Sequence, residues 1–243
     1  MKPFESLTVF LMATNETDIL EKTVHGVLDN CPDEDLGKIV VFLISEDCPS
    51  AHTVRRMIAE KVSSKLEMRV QSSRSSYEAF AEIPTLCETS HFVIMASDGE
   101  MSPETLKDFI AIAKKKPYSI VCGAKWNKKS VVEGHMLHRK IGSRFLDIFA
   151  AAVFGVEATD LFSIFQIYPT QLYKDMNFRK PAHFVCEFTL KPLRYGVEYI
   201  EIPTVYRHEK GRKNNWSFLR LLMLAAFYSV DVIRIRFTPK KFL

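Results

Sequence analysis

The chain holds little glycine, nine residues in 243, and neither G-x-G-x-x-G nor G-x-x-x-x-G-K-[ST] occurs in it. That excludes the glycine loops by which dehydrogenases and P-loop enzymes cradle phosphate. The five cysteines (Cys31, Cys48, Cys87, Cys122 and Cys186) are odd in number, far apart and free of any C-x-x-C pair. They read as reduced, small core residues of an intracellular protein, not as a disulfide framework. The seven histidines show neither H-x-x-x-H nor H-E-x-x-H spacing, so no zinc site is expected. No apolar run approaches the roughly 20 residues that span a bilayer. The stretch MKPFESLTVFLMATNE lacks the charged start, long apolar middle and small-residue cleavage site of a signal peptide. A net charge of +4 is too small to argue for a nucleic-acid partner. Internal repeats and low-complexity segments are also missing.

Apolar residues make up 47% of the chain, enough for the core of one sizeable domain or two small ones. The stretch that organises it is His91–Glu104, HFVIMASDGEMSPE. Phe92 to Met95 are apolar without a break, as in a strand buried on both faces. The run stops at Ser97-Asp98-Gly99-Glu100, and Ser102-Pro103-Glu104 then opens a helix in the order N-cap, first position, first-turn acid. Two carboxylates therefore stand where a buried strand ends, the place where open α/β sheets collect ligands. Carboxylates alternating on a short turn can hold a hard divalent cation, and the cation a diphosphate. A strand-to-helix turn with solvated acids is the simpler alternative.

The first half repeats this plan. Leu7–Met12, Lys38–Ile44, Leu66–Val70, Phe92–Met95 and Tyr118–Cys122 read as strands. Asp18–Leu28, His52–Ser63, Tyr77–Cys87 and Pro103–Lys115 read as helices between them. The alternation predicts a mostly parallel sheet with crossovers on both faces. Strand ends then converge Thr14-Asn15-Glu16, Ser45-Glu46-Asp47 and Asp98-Gly99-Glu100 on one edge. In the second half, Gly123–Gly134 is polar and basic and reads as a loop. His138–Val156 is an amphipathic helix, Asp160–Tyr168 is strand-like, and Ala182–Arg194 is an apolar helix carrying Glu187. Tyr199–Tyr206 is a strand with a proline, which points to an edge or a terminus. Arg207–Lys213 is a basic loop. Trp216–Phe237 is an amphipathic helix, too short in its uncharged part to cross a membrane, that either lies in an interface or packs on the domain.

These stretches together resemble the family 2 glycosyltransferases of GT-A fold, and among them the dolichol- and polyprenyl-phosphate sugar synthases. Met12–Glu16 is similar to the family's P-x-Y-N-E and Ile44–Pro49 stands where V-D-D-G-S-P is usual. Ala96–Glu104 stands where D-A-D-L-Q-H-P-P-E is usual. Arg139 with Ser143-Arg144 is similar to R-x-x-x-S-R, and Asp160–Gln166 to D-x-x-S-G-F-R. Ile202-Pro203 and Arg207–Asn214 are similar to I-P-x-x-Y and the basic loop after it. The departures are Ala96 for the first acid of D-x-D, Ser45 for the first aspartate after strand two, and Gln166 for an arginine.

The resemblance implies an α/β, Rossmann-like GT-A domain over residues 1–215, with a nucleotide-sugar half (1–122), an acceptor half (123–215) and a C-terminal helix with a basic tail (216–243). It implies an inverting, metal-dependent hexosyl transfer from a nucleotide-diphospho-sugar to an acceptor, a polyprenyl or dolichyl phosphate above a glycan hydroxyl. Ala13, Thr14, Asn15, Glu16, Ser45, Glu46 and Asp98 would border the nucleotide, with Glu46 accepting from the base. Asp98 and Glu100 would hold Mg²⁺ or Mn²⁺, Asp98 would be catalytic, and Glu187 would be the catalytic base for a hydroxyl acceptor or, alternatively, a buried helix acid paired with a nearby arginine. Lys125, Arg139, Ser143, Arg144, Gln166, Arg207, His208, Lys210, Arg212 and Lys213 would face the acceptor phosphate. The chain would be cytoplasmic, and its terminal helix would meet the cytoplasmic face of a membrane. A sugar-nucleotide-binding protein without turnover is the alternative from another class. A nucleotidyltransferase on a similar sheet is the weaker one, because the glycine-rich basic loop of those enzymes is missing after strand one.

Overall fold

The computed structural model describes residues 3–72, 76–134, 137–176, 178, 184–207 and 218–239, and only the backbone at 76–77, 137–141, 184–185 and 218–222. In chain order the elements are β1 (Leu7–Ala13), α1 (Asp18–Asn30), β2 (Leu36–Leu43), α2 (Pro49–Ala59), β3 (Leu66–Val70), α3 (Ser76–Leu86) and β4 (His91–Ala96). Then come α4 (Thr105–Lys115), β5 (Ile120–Ala124), β6 (Val131–Glu133), α5 (Leu137–Phe154), β7 (Gln166–Pro169) and α6 (Thr170–Lys174). The chain closes with α7 (Phe184–Arg194), β8 (Tyr199–Pro203), β9 (Val205–Arg207) and α8 (Phe218–Phe237).

Seven strands form one sheet in the order β3-β2-β1-β4-β7-β5-β8, and β6 pairs with β9 in a small second sheet. All pairs are parallel except those of β7, which runs antiparallel between β4 and β5. The expected mostly parallel α/β sheet is thus the observed one. Both faces are covered. Leu7, Val9 and Leu11 of β1 pack with Val24, Val54 and Leu106 of α1, α2 and α4. Phe10 and Phe92 turn to the other face, where Tyr168, Tyr173 and Phe188 complete an aromatic cluster. Strands without a polar face are what a doubly covered sheet requires.

The second half differs from the sequence reading in three places, each with a local cause. The strand expected over Asp160–Tyr168 is confined to β7, because carboxylates capture the amides before it. Asp160 N–H donates to Glu201 Oε1 and Leu161 N–H donates to Asp147 Oδ1. The strand over Tyr199–Tyr206 divides after Pro203, which places β8 in the main sheet and β9 in the small one. The loop over Gly123–Gly134 contains the end of β5 and all of β6.

Helix α8 packs on α5 and α7, burying Tyr228, Val232 and Ile235. It is also tied by charge: Arg234 Nη2 lies 2.8 Å from Glu187 Oε1, and Lys191 Nζ lies 3.1 Å from Glu187 Oε2. The Glu187 side chain is fully buried and that of Lys191 is 3% exposed. Removing one member of a buried charge group leaves the others uncompensated. Glu187→Ala is therefore expected to cost about 3–5 kcal/mol, read as a lower urea midpoint at unchanged m-value.

Candidate active site

The carboxyl ends of β3, β2, β1 and β4 share one edge, and a cavity of about 380 Å³ opens along it. Met12, Phe42 and Ala96 stand level across β1, β2 and β4, and all three line the cavity. From β1 the wall continues through Ala13, Thr14 and Glu16. The turn here is built by Glu16: its Oε2 accepts the backbone N–H groups of Thr14 at 2.6 Å and Asn15 at 3.0 Å. Ser50 Oγ, at the start of α2, donates to the Glu16 carbonyl at 2.7 Å, so neighbouring strand tips are joined.

The turn after β4 is fixed in the same manner. Ser97 Oγ donates to the Met12 carbonyl at 2.7 Å, and Glu100 N–H donates to Asp98 Oδ1 at 3.1 Å. Gly99 has φ +75, a left-handed backbone conformation that glycine adopts without strain. Asp98 and Glu100 both line the cavity, Asp98 half-buried and Glu100 buried. Tyr206 Oη donates to Glu100 Oε2, and Arg207 N–H donates to the Glu100 carbonyl at 2.9 Å. Strand β9 is thereby stitched to the acidic turn.

The far wall of the cavity holds a cation. Lys125, just past β5, lines it with Ser163, Ile164 and Tyr206. Its Nζ is 3.3 Å from the Asp160 carboxylate, which is 1% exposed and also accepts the Lys125 backbone N–H at 2.7 Å. The ammonium lies 5.7 Å from the centroid of the Tyr206 ring. Burial alone would lower the Lys125 pKa, but the Asp160 and Asp147 carboxylates outweigh it and the net displacement is upward. Asp147 sits behind this pair, its oxygens accepting Leu161 N–H at 2.9 Å and Ser143 Oγ–H at 3.4 Å. Burial, and then the Asp160 charge, push Asp147 from 3.8 to about 7.

Of the residues expected from sequence, Ala13, Thr14, Glu16, Asp98, Glu100 and Lys125 line this one cavity. Asn15, Ser45 and Glu46 are exposed and do not. Of the two expectations for Glu187, a base for a hydroxyl acceptor or a buried helix acid paired with an arginine, the structure has the second: it is held between Lys191 and Arg234 and is absent from the cavity wall. Gln166 is likewise buried away from it, its Nε2 donating to the Ser163 carbonyl at 2.6 Å and to Tyr199 Oη at 3.1 Å. Arg144 spends its guanidinium on the Thr159 carbonyl at 3.2 Å and on the Trp126 ring. Ser143 turns to Asp147, and Arg207 is exposed, 3.9 Å from Glu133. The Arg139 side chain, His208, Lys210, Arg212 and Lys213 lie outside the described residues. The sequence reading passed over Gln71, Phe80 and Tyr206, which also line the cavity. Gln71 directly follows β3, and its place at a strand tip was the available signal.

Among the described residues no group of three His, Cys, Asp or Glu side chains is disposed to hold a metal. Asp98 and Glu100 supply hard oxygen atoms on one wall, so a cation here needs its remaining ligands from a diphosphate and water. That is the usual manner of Mg²⁺, which binds through one or two carboxylates plus substrate phosphates. The residues present fit such a cation.

No protein-family model matches the chain. Among solved structures, it is similar to glucosyl-3-phosphoglycerate synthase from Mycobacterium tuberculosis in several complexes. With UDP the TM-score is 0.67 at 14% identity, covering 97% of this chain and 81% of that one. With Mn²⁺, UDP and phosphoglyceric acid it is 0.69 at 12% identity, covering 97% and 80%. With Mn²⁺ and UDP-glucose it is 0.68 at 12% identity, covering 97% and 80%. The likeness establishes the fold, an α/β sheet of the GT-A type.

The raised Asp147 pKa has a measurable consequence. Between pH 3.8 and about 7 the folded state binds a proton at Asp147 that the unfolded chain has released. Stability therefore falls as pH rises through this window and levels off above it. In Asp147→Asn the amide oxygen can still accept Leu161 N–H, and the titration is gone. Thermal melts from pH 5 to 8 are expected to show a flatter profile for the variant than for the wild type.

Proposed function

We propose that the chain is an inverting glycosyltransferase that moves a sugar from a UDP-sugar, with a divalent cation, to an acceptor bearing a phosphate. The observation that carries this reading is the single cavity with Asp98 and Glu100 on the β4 turn and Lys125 opposite. Support also comes from the structures of similar fold, whose complexes contain UDP, UDP-glucose, Mn²⁺ and phosphoglyceric acid.

Asp98 would hold the cation with Glu100, its carboxylate oriented by the Glu100 N–H. When bound, the cation neutralises charge on the departing nucleoside diphosphate. Thr14 and Glu16 would border the nucleoside. Lys125, braced by Asp160, presents a fixed positive charge to an anionic group entering from the β5 side. A phosphate brings its own nucleophilic oxygen and needs no general base, whereas a sugar hydroxyl does. Glu187, the base expected for a hydroxyl acceptor, being bound up between two cations therefore favours the phosphate. We take a polyprenyl phosphate as the acceptor. Helix α8 leaves Met223, Phe227, Val230, Ile233 and Phe237 exposed, in line with a membrane surface. No helix among the described residues is long and apolar enough to cross one.

UDP with Mn²⁺ is expected to raise the melting temperature, and GDP or either component alone to raise it less. Asp98→Ala should lose the Mn²⁺-dependent increment and about 100-fold or more of transfer, the loss of several kcal/mol of charge stabilisation. Turnover near wild type in that variant would remove Asp98 from the reaction. Binding without turnover on any acceptor would favour the non-catalytic reading, to which Ala96 in place of an acid points. Transfer to phosphoglycerate but not to polyprenyl phosphate, with no flotation on anionic liposomes, would exclude the lipid acceptor.

A further inference from the structure

We propose that Gln71 reads the edge of the donor's nucleobase. The inference rests on the nucleotide-sugar reading of the cavity and assigns the residue that selects the nucleotide. Sequence resemblance gave that task to Glu46, but Glu46 is exposed and does not line the cavity. The polar group at that end comes from the next strand outward.

The cavity is graded along the sheet edge. Asp98, Glu100 and Lys125 stand at the β4 and β5 side and Glu16 follows β1, whereas the β3 and β2 side is walled by Phe42, Ile44 and Phe80. Flat apolar walls suit the faces of a base. Gln71 is the polar side chain that this side contributes. Its backbone N–H donates to the Leu43 carbonyl at 2.9 Å, which continues the β3–β2 ladder by one residue and fixes its Cα. Among the described residues its carboxamide makes no hydrogen bond within the protein. The group is half-buried at the wall of a cavity with its donor and its acceptor both to spare.

A carboxamide presents one N–H donor and one oxygen acceptor in a single plane. In the UDP-sugar reading the base presents O4 and N3–H side by side, so Nε2–H can donate to O4 while Oε1 accepts from N3–H. A carboxylate, as at Glu46, could only accept. Strand spacing places the parts at a workable separation. Three intervals of about 4.8 Å, roughly 14 Å, separate β3 from β4, so a base at Gln71 leaves its diphosphate near Asp98.

The test is calorimetric titration of wild type, Gln71→Ala and Gln71→Glu with UDP and, separately, with pyrophosphate, both in Mn²⁺. Melting of the unliganded variants reports whether the fold is kept. Two hydrogen bonds of ordinary net strength correspond to about tenfold in affinity or more. Both variants should lose that factor for UDP and bind pyrophosphate as the wild type does. UDP binding within about threefold of wild type in both variants would overturn the assignment and leave the wider reading standing. An equal loss for pyrophosphate would also overturn it, since Gln71 would then act through the fold. Failure of the wild type to bind UDP with Mn²⁺ at all would end both.

Discussion

The structure depends on the register of β1 between its two parallel neighbours. Met12 stands level with Phe42 on one side and with Ala96 on the other, and the cavity opens at that level. Side chains in a strand alternate between faces, so a slip of one residue in either pairing would send the set to the wrong face. Val9, Leu11, Val41, Val93 and Met95 are all fully buried below the cavity and hold the register. The turns above it are then fixed by short contacts: Glu16 on two amides of its own turn, Ser97 on the Met12 carbonyl, and Ser50 on the Glu16 carbonyl. A hydrophobic constraint in the sheet thus becomes a polar arrangement at its edge.

The other wall obeys a different rule. Between α5 and β7 the chain has little regular structure, and its backbone amides are satisfied by carboxylates. Glu201 takes Thr159 and Asp160, Asp147 takes Leu161, and Asp160 takes Lys125. Burial, and then the Asp160 charge beside it, raise the cost of ionising Asp147, which moves towards neutrality as a result. The return is a lysine held firmly at the cavity by groups that water does not reach. The same economy of buried charge recurs at α8, where Glu187 receives Lys191 and Arg234.

Most of the cavity wall at β1 and β4 was legible in the sequence because it is local. Asp98-Gly99-Glu100 follows an unbroken apolar run, and Thr14 and Glu16 follow another, so strand ends alone put them together. The second half of the chain was less so. Arg144 and Gln166 matched the resemblance by spacing, but spacing does not say which partner a guanidinium or an amide will find. Arg144 found the Thr159 carbonyl and Gln166 the Ser163 carbonyl. For Glu187 the sequence offered Lys191 one helical turn on as a partner, but the approach of Arg234, 47 positions away, came only with the tertiary structure.

By itself, then, the amino-acid sequence determined the alternation of strand and helix, the parallel sheet, and the edge on which its acids gather. These follow from apolar periodicity and from polar residues at the ends of buried runs, both short-range properties. Tertiary structure alone decided that β7 enters antiparallel, that β9 leaves the main sheet to pin Glu100, that among the described residues of the expected basic set it is Lys125 that lines the cavity, and that Gln71, not Glu46, stands at its far end. Each of these depends on which distant groups meet in the low-dielectric interior. Pairing there is set by geometry and desolvation and not by the type of residue in the chain.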